Sequence, residues 1–231
     1  MLDFFGLGLV LRLIIAIDGP SGAGKGTVAR AVSRSLGYRH VDTGAMYRAV
    51  AWKAVQEAIV LADETQVAAV ASHADIVLED DAVVIDGHDV TQAIRTSEID
   101  RAAAGVARLQ TVREVLVSHQ RALAANGGVV MEGRDIGTVV FPNADVKIYL
   151  DASEAERARR RAHDPAHTGG QDGAAAVTAS LQARVRSDIT RPVSPLTRAE
   201  DAHYLDTTDL SVDAVVDRVL GVVRRALPSG T

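Results

Sequence analysis

The sequence predicts an α/β domain in which helices flank a parallel sheet. Three observations predict it. Short β-branched apolar runs alternate with segments of helical period, one such run leads into the glycine-rich stretch GPSGAGKGT, and a helical pattern opens directly behind that stretch.

Leu13 to Ile17 is apolar, largely β-branched and ends at Asp18, as a buried parallel strand does. Behind the glycine-rich stretch, Val28, Val32 and Leu36 recur every fourth residue. Ala29 widens that face, and Gly37 supplies a helix stop. Val129 to Met131 and Val146 to Leu150 are further interior strands that open into polar turns. Ser153 and Glu156 have the spacing of a capping box, so a helix should begin there and carry the arginine run ERARRR at 156 to 161. Ala202 to Leu205 gives one more strand, and Ser211 to Leu227 an amphipathic helix.

Two segments break the alternation. Residues 74 to 90 hold two β-like runs around acidic turn residues, which predicts an antiparallel hairpin inserted into the fold. Residues 164 to 176 are rich in glycine and small side chains, the composition of a mobile loop between two helices.

With 231 residues, 47% of them hydrophobic, the chain can build one main core. It has no cysteine, which excludes disulfides, thiolate zinc sites and a cysteine nucleophile and fits the cytoplasm. The net charge of −5 argues against nucleic acid or an anionic membrane as partner. The arginines crowd instead into 156 to 161 and 183 to 191, as a local anion site requires, although a solvated helix face also accounts for the first run. The apolar start is interrupted by Arg12 and lacks an early basic segment and a cleavage site, so neither a signal peptide nor a membrane span is expected. Residues 1 to 12 read as a nonstandard extension, and 13 to 231 as a single domain.

The chemistry starts at Gly19, Pro20, Ser21, Gly22, Ala23, Gly24, Lys25, Gly26 and Thr27. Glycine permits positive φ and close backbone approach, so successive N–H groups and a helix N-terminus can surround phosphate oxygens, and Lys25 adds a full charge. The stretch departs from the common phosphate-loop pattern in placing Gly26 after the lysine and the hydroxyl one residue later, at Thr27. The loop alone indicates a bound nucleoside triphosphate and nothing more.

With this loop in place, the chain resembles the bacterial cytidylate kinases, which are nucleoside-monophosphate kinases. The resemblance rests on GPSGAGKGT, DTGAMYR (42 to 48), Ile94 and Arg95, VRE (112 to 114), EGRDIGTVVFPNADVKIYLDA (132 to 152) and DITRPVSPL (188 to 196). It implies a phosphate-loop kinase core with five parallel strands, an acceptor-binding insert at about 42 to 110 and a short lid at about 157 to 176. The implied reaction moves the γ-phosphate of ATP to CMP or dCMP, with Mg2+ bridging the donor phosphates, in a monomer. Another small-molecule kinase of the same fold, such as one acting on UMP, is the alternative. A GTP-dependent switch is disfavoured because the guanine-reading N-K-x-D motif is missing, and a noncatalytic ATP-binding module because donor, lid and acceptor motifs are all present.

By the same resemblance, Arg48, Arg134 and Arg191 hold the acceptor phosphate with help from Thr43. Arg113 and Asp135 read cytosine, and Arg184 and Asp188 contact the sugar. Arg157 and Arg160 close over the transferring group beside Lys25, with Arg161 nearby. Thr27 is the implied metal ligand and Glu132 the holder of metal-bound water, in preference to Asp151. Guanidinium groups suit phosphate because they donate two parallel hydrogen bonds. The attacking atom is already an anionic oxygen, so no general base is needed, and the seven histidines, without ligand spacing, are expected on the surface. Tyr47 stays open between roles, and Trp52 is assigned to packing. The sequence departs from the family pattern at Ala104, where a base-reading serine is usual, at Gln110, where a proline is usual, and at Val185, where an acid is common.

Overall fold

The computed structural model describes residues 12–79, 82–163 and 174–227, with the backbone alone at 174–176. In chain order the elements are β1 (Ile14–Asp18), α1 (Lys25–Leu36), β2 (Arg39–Asp42), α2 (Thr43–Gln56) and α3 (Glu64–His73). Then come β3 (Ile76–Leu78), β4 (Val83–Ile85), β5 (His88–Asp89), α4 (Ser97–Val106) and α5 (Gln110–Leu123). The chain ends with β6 (Val129–Gly133), β7 (Val146–Asp151), α6 (Glu154–Ala162), α7 (Ala174–Thr190), β8 (His203–Asp206) and α8 (Val212–Ala226).

β1, β2, β6, β7 and β8 form a five-stranded sheet in the order β2-β6-β1-β7-β8, and every pair in it is parallel. Both faces of central β1 are buried, which is why its sequence is a continuous apolar run rather than an alternation. Ala16 joins Val41 and Met131 in a core shared with α2, α3, α4 and α5. Ile15 and Ile17 join Val130, Ile148 and Leu150 in a second core closed by α1 and α8. Register places Asp18 beside Gly133 and Asp42 beside Glu132, so the carboxyl ends of β1, β2 and β6 meet at one edge. In an open parallel sheet that edge is where ligands bind.

Local sequence sets the helix starts. Asp42 accepts from the Ala45 N–H at 3.1 Å, Thr96 from Ile99 and Ser211 from Ala214. Ser153 caps α6 through the Glu156 N–H, but the reciprocal half of the expected capping box is missing because the Glu156 carboxylate turns to Arg159 and Arg160. The expected hairpin is the first part of a three-stranded antiparallel sheet, β3-β4-β5. Helix α7 begins at Ala174, so the expected loop ends earlier than 176, while 164–173 and residues 1–11 lie outside the described residues. Trp52 is partly buried against the first core, as packing requires. No described helix is long and apolar enough to cross a membrane.

The turn leaving β1 has no room for a side chain. Gly19 has φ +147°, and a Cβ there would lie 2.0 Å from the Leu150 carbonyl oxygen. Gly19→Ala is expected to destabilise the fold by at least about 2 kcal/mol, since backbone strain and a clash act together. Urea unfolding measures this, and an unchanged midpoint would contradict the packing.

Candidate active site

The glycine-rich stretch wraps the carboxyl end of β1 and opens into a cavity of about 940 Å3. Gly22 and Gly24 take φ of +82° and +88°, and α1 starts at Lys25 without a side-chain cap. Its first N–H groups therefore face the cavity without a side chain in competition for them. Lys25 is buried and donates to the Pro20 carbonyl at 2.8 Å. Burial first, and then the charge of Arg134, pull its pKa down to about 7.

The cavity is lined by more than twice as many cationic as acidic side chains, in a chain whose net charge is negative. Most of these cations are held by acids. Arg48 donates to Asp42 at 2.8 Å, and Arg134 donates to Asp188 at 2.7 Å. Although burial opposes ionisation of both acids, Arg48 holds the Asp42 carboxyl, and Arg134 and Arg184 the Asp188 carboxyl, below the usual carboxylate range. Arg184 lies 3.4 Å from Asp188 and also donates to the Asp100 carbonyl at 2.7 Å. Arg161 pairs with the Asp100 carboxylate, so one residue of α4 is tied to both α6 and α7.

Asp135, which also lines the cavity, is buried between two arginines. Arg113 donates to one of its oxygens, and Arg191 stands 3.1 Å from the other. The Arg113 guanidinium sits 5.5 Å from the centre of the Tyr47 ring. Tyr47 itself lines the cavity, its hydroxyl lacks a hydrogen-bond partner among the described residues, and burial pushes its pKa to about 12, so it stays neutral.

Of the residues singled out from the sequence, Ser21 to Thr27, Thr43, Arg48, Glu132, Arg134, Asp135, Arg160, Arg184, Asp188 and Arg191 converge on this cavity. Gly19 and Pro20 form the turn beneath it. Arg113 reaches it through Asp135 rather than lining it. Arg157 is not among the lining residues either: it is buried against the phosphate loop and donates to the Ala152 carbonyl at 3.0 Å. Arg160 does face the cavity, and bridges Ala23, Glu156 and Thr207. Asp151, the rejected metal acid, bonds the Ala152 N–H and does not line the cavity. Ala104 is half-buried on α4, one turn before Ala107, which does line it. Gln110 occupies the first turn of α5, where proline is also tolerated, and bonds Glu114.

Two residues were not found from the sequence. Asp18 is buried and its two oxygens accept from the N–H groups of Ile136 and Gly137, at 2.8 and 2.7 Å. It thereby anchors the π-helical turn Ile136–Val140 that follows Arg134 and Asp135, and burial raises its pKa to about 6. His40 corrects the expectation of surface histidines, since it is buried and its Nε2 meets Glu132 Oε1 at 3.0 Å. Its place in β2, where the burial pattern runs exposed, buried, buried, half-buried, brings it inside, and RHVD carries no alternation that would have shown this in the sequence.

Among the described residues no group of three or more His, Asp or Glu side chains could by itself hold a metal ion. The Thr27 hydroxyl and the Glu132 carboxylate, which lies against Gly26, are hard oxygen donors beside the phosphate loop. That sparse set fits Mg2+, which keeps most of its waters and relies on substrate phosphates for the rest.

A phosphate loop at the end of β1, opening into a cavity of about 940 Å3 lined by a cluster of cations, defines a phosphate-loop phosphotransferase. Solved structures agree on the fold. The shikimate kinase of Acinetobacter baumannii superposes with a TM-score of 0.51 at 16% identity, over 94% of this chain and 96% of that one. The Bacteroides thetaiotaomicron shikimate kinase gives 0.50 at 12%, over 92% and 98%. The family model described as cytidylate kinase matches residues 15–225. The cytidylate kinase of Desulfitobacterium hafniense (strain Y51) is 49% identical over 222 residues, covering 95% of this chain and 96% of the relative. That of Bacillus subtilis (strain 168) is 45% identical over 218 residues, covering 93% and 97%. The chain belongs to the cytidylate kinase family.

Proposed function

We propose that the protein transfers the γ-phosphate of ATP to CMP or dCMP, giving ADP and CDP or dCDP. The observation that carries this reading is the buried Arg113–Asp135–Arg191 cluster beside the cavity. A carboxylate held there accepts from the exocyclic amine of cytosine, where uracil presents a second acceptor. The phosphate loop and Lys25 hold the donor phosphates, while Arg48, Arg134 and Arg191 hold the acceptor phosphate with one oxygen facing the γ-phosphorus. That oxygen is already anionic, so the rate comes from alignment and from charge neutralisation as the phosphoryl group passes. Thr27 and, through water, Glu132 would hold Mg2+, which would add to the neutralisation of the donor phosphates. Arg160 lies between the phosphate loop and α6, placed to follow the transferring group.

A coupled ADP-release assay across the common nucleoside monophosphates tests the reading. CMP and dCMP should be the best acceptors, with measurable UMP activity because Ala104 lacks a hydroxyl. One neutral hydrogen bond is worth roughly 0.5–1.5 kcal/mol, so its absence costs about tenfold in discrimination at most. Ala104→Ser should raise the CMP-to-UMP ratio of kcat/KM. A best acceptor other than a cytidine monophosphate would overturn the function, whereas an unchanged ratio in Ala104→Ser would overturn only the role of that position.

A further inference from the structure

Arg134 and Asp135 stand side by side in a short connection that regular local structure does not hold. Gly133 ends β6, the π-helical turn starts at Ile136, and Asp135 between them has φ −151° and ψ 25°, values of neither a strand nor a helix. Two adjacent side chains that aim at different groups therefore need a brace from elsewhere in the fold.

Asp18 supplies it. Its backbone is the register partner of Gly133 between β1 and β6, and its two carboxylate oxygens accept from the N–H groups of Ile136 and Gly137 at 2.8 and 2.7 Å. One residue thus fastens the chain immediately before Arg134 and immediately after Asp135. Gly137 is closely enclosed, since a Cβ there would come within 3.2 Å of the Lys147 stem and 3.4 Å of an Asp18 oxygen. The other end of the turn is tied down as well. Arg121 donates through Nε to the Val140 carbonyl at 2.9 Å and through Nη2 to the Val139 carbonyl at 2.8 Å. A carboxylate on the first N–H groups and a guanidinium on the last carbonyls match the unpaired groups at the two ends of a helical turn. Arg121 belongs to α5, as does Arg113, the partner of Asp135.

Holding the carboxylate there is costly. Asp18 is buried, and although the two N–H groups favour its charged form, burial outweighs them and raises its pKa to about 6. The chain keeps this charge between the strand that feeds the phosphate loop and the connection that carries Arg134 and Asp135, where the two halves of the site have to be held in one alignment.

We propose that Asp18 is a positioning residue for acceptor recognition, which with Arg121 braces the Ile136–Val140 turn and so sets the Arg134 guanidinium and the Asp135 carboxylate against the phosphate loop. The assignment rests on the function proposed above.

Asp18→Asn tests it, because an amide of the same size offers an acceptor to one of the two N–H groups and turns its own NH2 toward the other. Equilibrium binding of CMP should weaken at least about tenfold, the scale of one hydrogen bond to a charged group, and the CMP-to-UMP ratio of kcat/KM should fall about threefold or more. ATP binding should change less than about threefold, since the phosphate loop keeps its own bonds, Lys25 to Pro20 among them. Arg121→Met removes the brace at the other end of the turn. It should shift CMP binding and the ratio in the same direction by a smaller factor, and it carries the test if Asp18→Asn does not fold. A purely structural role would lower the thermal midpoint and leave the CMP-to-UMP ratio at its wild-type value. Either that result or equal weakening of CMP and ATP would overturn the proposal. If the wild type prefers another nucleoside monophosphate, the function above fails, and the comparison is made with that acceptor and its runner-up, with the same two overturning outcomes.

Discussion

Replacing Lys25 with alanine is expected to lower phosphoryl transfer by at least about 10²-fold and to leave the protein folded. The size follows from the place of the lysine, at the end of the phosphate loop and within electrostatic reach of Arg134 and Glu132. The stability follows from the cost of burying it. Its pKa in the folded protein is pulled down to about 7, from an ordinary 10.5. Between those values the unfolded chain binds the proton more tightly, so the lysine weighs against folding fully below pH 7, and the penalty fades as pH rises toward 10.5. Lys25→Ala should therefore be at least as stable as the wild type at pH 7, which thermal unfolding measures. Wild-type turnover in the variant would refute the role of the loop.

The same pKa sets a pH dependence for donor binding. Above about pH 7 the free enzyme loses the Lys25 charge, and triphosphate must bind with uptake of a proton. Metal-free ATP should therefore bind more weakly as pH rises from about 6 to 8. ATP itself gains negative charge over part of that range, so the informative quantity is the difference between wild type and Lys25→Ala. A difference that does not change with pH would contradict the depressed pKa.

Asp135→Asn should lower the CMP-to-UMP ratio of kcat/KM by about 10- to 100-fold, the largest expected change in specificity. The carboxylate accepts from the cytosine amine, and an interaction with a charged group is worth roughly 1.5–3 kcal/mol. An amide can turn its NH2 toward the uracil carbonyl, so the substitution helps the wrong acceptor as well as weakening the right one. Asp135 also compensates Arg113 and Arg191, and with part of that compensation gone the variant should unfold at a lower temperature. Kinetics separate the two effects, because lost stability alone lowers the activity on both acceptors equally. An unchanged ratio would remove Asp135 from base recognition.

The sequence by itself determined the phosphate loop and its setting, because everything that loop needs is contiguous. The strand, the glycines with positive φ, Lys25 and the start of α1 all fall within Ile14 to Leu36. The same holds for the caps at Asp42, Thr96, Ser153 and Ser211, where a side chain meets an N–H three residues on. The resemblance extended this to residues farther apart, and most of those it singled out do converge on one cavity.

Tertiary structure alone decided how polar side chains remote in the sequence pair. Asp18 is 118 positions from the Ile136 N–H that it holds, and His40 is 92 from Glu132. Both meetings depend on the order β2-β6-β1 in the sheet, which sets strand ends side by side that are remote in the chain. Helical period could place Arg157 and Arg160 on α6, but not choose which of them would face the ligand. That choice depends on the phosphate loop, where the backbone and Cβ of Arg157 leave only 2.9 Å for a side-chain atom at Gly22.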